Sequence, residues 1–270
     1  MYIETYTKAK EYVRIKKYSL KSFGAPNRKR NKKLRDTPKA MKKYNNQQRI
    51  EKLQMLMILN FDKGFHVVLD YPKDSRPQTY EEAESNLKKC LYKISRRLKK
   101  VGRKFKYIAI TERGKKAAAL HHHLIVEGDS QIIEELIRAW GQHIKVNAMY
   151  QEGAYEDLAE YICKVETKEE SVKGKSKYHR SRNLKEPVTR TVIRTGHFKE
   201  DPVIPQGYEL LEHTLINGNN EIVGVKYQHY MLKKTHKAPE KKKTPINSEQ
   251  KRDKKCSVWE SLKRLFRKRS

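Results

Sequence analysis

The chain has 270 residues and carries 62 Lys+Arg against 32 Asp+Glu, a formal charge of +30, which is length for one domain with appendages or for two small ones. The charge sits at the ends: residues 1–50 hold 16 basic residues against 3 acidic, residues 232–270 hold 15 against 4, and the stretch between carries only +6. Such a field implies a polyanionic partner, most simply nucleic acid. No apolar run approaches the roughly 18–20 residues of a spanning helix, so stable membrane insertion is not expected.

The N-terminus lacks the apolar stretch of a signal peptide. Cys90, Cys163 and Cys256 are solitary, so neither a disulfide framework nor a zinc knuckle is indicated. A reduced, cytoplasmic protein is the expectation.

In chain order, residues 1–36 are basic and contain GAPNRKRNKKLR, which has no apolar period; they read as a flexible arm. A helix then starts with Thr37 as N-cap and Pro38 in its first turn, with Ile50, Leu53, Leu56 and Met57 at helical spacing. FHVVLDYP (65–72) alternates and ends at a proline, as a strand does. Residues 79–101 predict a long helix with Ala83, Leu87, Leu91 and Ile94 on one stripe. FKYIAIT and ALHHHLIVE predict two strands joined by ERGKKAA as a hairpin. SQIIEELIRAWG reads as a helix ended by glycine, HIKVNAMY as a short strand, and AYEDLAEYICKVETK as a helix with Leu158, Ile162 and Val165 inward. Strand, helix, two strands, helix, strand is the order of a ferredoxin-like split βαβ sheet in an α+β protein, here extended by the helix at 155–168.

Beyond it, SRNLKEP predicts an irregular connector. GYELLEHTLI and IVGVKYQHYML predict a second hairpin around a segment containing NGNN. Residues 233–255 are charged and low in complexity, hence expected to be disordered. SVWESLKRLFRKR forms a small basic amphipathic helix on paper, with Trp259, Leu262, Leu265 and Phe266 together. The expected division is an arm at 1–36, a catalytic domain with its leading helix at 37–170, a connector and hairpin at 171–232, and a basic tail at 233–270.

ALHHHLIVEG (119–128) asks why three imidazoles interrupt an apolar strand, where each brings two polar nitrogens needing partners. Side chains alternate along a strand, so His121 and His123 share a face and His122 points the other way, toward packing or a helper hydrogen bond. Glu112 ends the neighbouring strand of the hairpin, within about 4.5–5.5 Å on the same face. A Glu/His/His site follows, and three protein ligands with open positions mark a catalytic metal. Imidazole ligands by themselves suit zinc equally. Tyr161 and Lys164 lie three apart on one helix face. A tyrosine nucleophile, with an ordinary pKa near 10, needs such a cation to favour phenolate. Tyr155 is a competing nucleophile on another face of that helix.

Over about residues 38–190 these motifs resemble the HUH-type rolling-circle replication initiators, above all the small replication-associated proteins of phages, plasmids and integrative elements of Gram-positive bacteria. NFDKGFHVVLDYP looks like the family's first motif, TERGKKAAALHHHLIV like its metal motif, and LAEYICK like its tyrosine motif; SRNLKEP is similar to the stretch that follows. His122 stands where the family carries a bulky hydrophobe. No second tyrosine follows Tyr161 at the two-tyrosine spacing.

The resemblance implies an HUH endonuclease with Glu112, His121 and His123 as ligands of Mg²⁺ or Mn²⁺ and Tyr161 as nucleophile beside Lys164. The substrate would be single-stranded DNA at a replication origin, cut to a 5′-phosphotyrosyl link and a free 3′-OH. No GxxxxGK[ST] loop occurs, so a host helicase and polymerase are the expected partners. Two other readings remain: a relaxase or single-tyrosine transposase with the same chemistry, and a non-catalytic RRM-like nucleic-acid binder, which lacks the RNP signature.

Overall fold

The structure is a computed structural model that describes residues 1–20, 39–61, 63–114, 119–141, 143–149, 152–164, 178–220 and 225–235. It is an α+β protein with two five-stranded antiparallel sheets and four helices among those residues. The chain divides into two compact units, Lys33–Pro187 and the two chain ends, Met1–Lys32 with Val188–Ser270.

The first unit begins with helix α1 (Lys39–Asn60); its expected N-cap, Thr37, lies outside the described residues. Strands β1 (Tyr2–Ala9) and β2 (Tyr12–Ser19) belong to the other unit, so strand β3 (Phe65–Leu69) follows, and then helix α2 (Tyr80–Lys100). Thr79 caps α2, its Oγ1 accepting from the Glu82 amide at 3.2 Å, while the Glu82 carboxylate accepts from the Gln78 amide at 3.0 Å. These bonds satisfy donors that a helix start leaves free.

Strands β4 (Tyr107–Arg113) and β5 (Leu120–Val126) form the hairpin; residues 115–118 between them lie outside the described residues. Helix α3 (Ser130–Trp140) is capped by Asp129 and ended by Gly141 at φ 111°, a conformation that favours glycine. Strand β6 (Ile144–Ala148), helix α4 (Glu156–Lys164) and the short strand β7 (His179–Arg180) complete the unit.

The strand order is β6-β3-β5-β4-β7, with β5 in the centre. One side of the sheet is the core. Val67, Leu69, Ala109, Leu124 and Val126 meet Leu87, Leu91, Ile94 and Leu98 of α2 and Ile132 and Leu136 of α3. Burying each of the valine, leucine and isoleucine side chains is worth about 1.5–3 kcal/mol, so this layer holds the strands in register. The alternate residues of β3, β4 and β5, namely His66, Ile108, Ile110, Glu112, His121, His123 and Ile125, face the other way.

The second unit corrects the flexible arm expected at 1–36. Residues 2–19 form the strands β1 and β2, while residues 21–38 lie outside the described ones. Two further strands, β9 (Tyr208–Asn220) and β10 (Val225–Lys234), supply the expected second hairpin, and β8 (Val188–Arg194) was not foreseen. Residues NGNN sit at the end of β9 rather than in a turn, and 221–224 are outside the described residues.

The order β8-β1-β2-β10-β9 interleaves the two chain ends. Ile15 pairs with Tyr6 on one side and Tyr230 on the other, so this apolar layer depends on partners more than 200 residues away. That distance is why a lysine-rich stretch reads as an arm: its alternation matters only once β10 lies beside it. Residues 236–270, with the expected basic helix and Cys256, lie outside the described residues. No helix among the described residues is long and apolar enough to cross a membrane.

Candidate metal centre and tyrosine

The β4–β5 register pairs Glu112 directly with His121 and Ile110 with His123. Ligand atoms of Glu112, His121 and His123 all lie within 4.8 Å of one another. His123 Nε2 is 2.9 Å from Glu112 Oε2, His121 Nε2 is 3.5 Å from the same oxygen, and the two Nε2 atoms are 3.2 Å apart. Two imidazole nitrogens and a carboxylate oxygen converging on one point fit a divalent cation in donor type and spacing. Burial opposes ionisation of Glu112, but its hydrogen bonds with His121 and His123 outweigh that and hold its carboxyl down at about 2. The same bond to Glu112 raises His121 against the effect of burial.

His122 takes the opposite side, as alternation requires. It is fully buried, with Nε2 2.7 Å from the Tyr71 hydroxyl, Nδ1 2.9 Å from Thr111 Oγ1, and its ring edge-on to Trp140. Thr111 Oγ1 donates its one proton to Glu84 Oε1 at 2.6 Å. His122 Nδ1 therefore donates to Thr111 and Nε2 accepts from Tyr71. Glu84 also meets His179 of β7. Burial pushes His122 down to about 3, so it is neutral. Its hydrogen bonds tie β5 to its neighbour β4 and to the end of β3.

Sequence reasoning missed His66. From β3 its Nε2 lies 3.1 Å from His123 Nδ1, with the two rings stacked at 5.2 Å. Burial, then the nearby His123, lowers it to about 4. Alternation in FHVVL puts His66 opposite Val67 and Leu69, but only the sheet order reveals that this face adjoins β5.

The tyrosines separate on exposure and bonding. Tyr155 is 4% exposed, and its hydroxyl donates to the Phe61 carbonyl at 3.1 Å. Gln54 of α1 donates to the neighbouring Ala154 carbonyl at 2.9 Å, so α1 holds the turn that launches α4. Tyr161 is 47% exposed, and its ring lies edge-on to His123 at 5.4 Å and to His66 at 6.3 Å. Burial, then the Glu112 charge, raises its pKa. The phenol thus stays protonated unless positive charge offsets Glu112. Lys164 ends α4, but its side chain lies outside the described residues.

Residues 64–170 match the family model described as Replication-associated protein ORF2. The match takes in every residue named for the metal centre and both tyrosines. It is consistent with a rolling-circle replication initiator, the family that the sequence motifs resemble. No curated protein and no solved structure gives a match.

Proposed function

We propose that the protein initiates rolling-circle replication by nicking single-stranded origin DNA, with Tyr161 as the nucleophile. The observation that carries this reading is one face of β5 bearing a Glu/His/His donor set whose His123 touches the half-exposed Tyr161 ring. The order β6-β3-β5-β4, with α2 and α3 as the two crossovers, supports the ferredoxin-like architecture of HUH endonucleases. The chain's cationic ends suit a polyphosphate partner.

Glu112, His121 and His123 would hold the cation, Mg²⁺ or Mn²⁺ by the resemblance, and when bound it supplies Lewis-acid polarisation of the phosphate oxygens and positive charge near the phenol. Tyr161 Oη forms the new bond to phosphorus, the P–O3′ bond breaks, the phenol proton leaves to solvent and the 3′ oxygen takes up a proton. The product is a 5′-phosphotyrosyl link with a free 3′-OH, which keeps the bond energy for rejoining and offers a primer. His66 accepts from His123 Nδ1, fixing the tautomer that leaves Nε2 free for metal. Tyr155, with its hydroxyl committed to Phe61, serves the fold. Unwinding and extension fall to a host helicase and polymerase in the cytoplasm.

The experiment is capture of a covalent adduct on labelled single-stranded origin DNA with Mn²⁺, followed by mapping of the modified residue. Tyr161→Phe should form no adduct while binding DNA almost as well as the parent. An adduct that persists in Tyr161→Phe and disappears in Tyr155→Phe would refute the assignment.

A further inference from the structure

His121 does more than complete the donor set: it also walls an open cleft of about 580 Å³ at the end of the sheet. The rest of the wall includes Asp70, Lys73 and Arg76, just after β3, and His143 and Lys145 at the start of β6. The wall is braced before any ligand arrives. The Asp70 amide donates to the His143 carbonyl at 2.9 Å, Trp140 Nε1 donates to the Asp70 carbonyl at 2.9 Å, and the Ser75 amide donates to the Pro72 carbonyl at 3.2 Å.

The charges in this wall are unbalanced. Its one carboxylate, Asp70, already meets Lys145 Nζ at 3.2 Å. The side chains of Lys73 and Arg76 have no ion pair or hydrogen bond among the described residues, and both are exposed. Elsewhere in the same unit Arg97, Arg103 and Lys106 are matched with Glu135, Asp129 and Glu127, whereas Lys99 and Lys100 at the exposed end of α2 are as free as Lys73 and Arg76 but do not line the cleft. A pair of uncommitted cations on a braced wall, beside a metal ligand, suits a chain of phosphates that begins at the metal.

We propose that this cleft binds the stretch of single-stranded DNA flanking the scissile phosphate, with Lys73 and Arg76 neutralising its backbone. The inference rests on the nicking reading for which phosphate lies at His121, but its own observable is DNA affinity, not cleavage. A phosphate held at the donor set leaves the next nucleotide at the mouth of the cleft. The strand then leaves the site past the end of β3. Such contacts fix position and register without reading sequence.

The test compares the full chain with the Lys73→Ala/Arg76→Ala double variant and with a charge-matched control, Lys99→Ala/Lys100→Ala, at the exposed end of α2. Affinity for a short fluorescent oligothymidylate is measured at several salt concentrations. Each lost phosphate contact lowers the log–log salt slope by about 0.7 on a single strand, so the cleft variant should lose about 1.4 and the control less than half of that. Equal slopes for the two variants would overturn the proposal.

All the exchanged side chains are exposed, and matching thermal melts confirm that both variants are folded. Adduct formation by the parent chain is scored separately. A parent that forms no adduct, together with a flattened slope in the cleft variant, defeats the nicking reading and leaves the cleft standing. An adduct with a slope like the control's does the reverse.

Discussion

Three consecutive histidines on β5 differ only in which side of the sheet they face, and the two sides use them differently. His121 and His123 converge with Glu112 on a half-buried face, where their nitrogens aim at one point a few ångströms across. One residue along, His122 is enclosed by Tyr71, Thr111 and Trp140, with both nitrogens committed to hydrogen bonds. Imidazole is the same chemical group in each case. What decides its role is whether its lone pair ends in an internal partner or in space a ligand can fill.

The largest way to break this contrast is to remove the open face. Glu112→Ala, His121→Ala and His123→Ala should each abolish metal-dependent adduct formation, whereas His122→Leu should retain it. Loss of activity in His122→Leu as complete as in His121→Ala would mean that the two faces are not functionally separate.

A smaller effect is expected one bond further out. His66→Leu removes the acceptor for His123 Nδ1, and loss of such an outer partner typically costs 10–100-fold in metal affinity. Mn²⁺ titration followed by electron paramagnetic resonance should show that loss. His66→Gln, whose amide oxygen also accepts, should recover part of it. Equal affinities for the parent and His66→Leu would remove His66 from the site.

The closed face should answer through stability. His122→Leu removes the acceptor of the Tyr71 hydroxyl and the partner of Thr111 Oγ1, a cost of about 1–3 kcal/mol at neutral pH, which urea unfolding would register. Its acid dependence sharpens the point. In the folded chain His122 titrates at about 3 against an ordinary 6.5, so the unfolded chain takes up the proton first. That lowers stability by up to about 1.4 kcal/mol per pH unit as pH falls from about 6.5 toward about 3. His66, lowered to about 4, acts in the same direction. The His122→Leu variant should therefore lose less stability than the parent between neutral and mildly acidic pH. Identical losses would show that His122 is not held neutral by its enclosure.

Much of the first unit was legible because its signals are local. The stripe of α2, the alternation through the histidines and the glycine after α3 each reside within a few residues. Period-2 alternation was enough to part His122 from its neighbours, and a hairpin places Glu112 beside His121 whatever surrounds it.

The terminal sheet was not legible for the opposite reason. Residues 2–19 and 225–234 are strands because they pair with each other across most of the chain, and neither segment carries a signal that names the other. His66 was hidden by the same cause, since sequence spacing cannot say that β3 lies against β5. The difference in surroundings between the two tyrosines was likewise tertiary. Both lie close together in one short stretch of chain, and only the packing of α1 against the turn before α4 takes up the Tyr155 hydroxyl and leaves Tyr161 beside the histidines. By itself the sequence determined which side chains of β4 and β5 share a face, because pleat and hairpin geometry act over neighbouring residues. Which further groups meet that face was decided by strand order and helix packing, which bring together residues the chain keeps far apart.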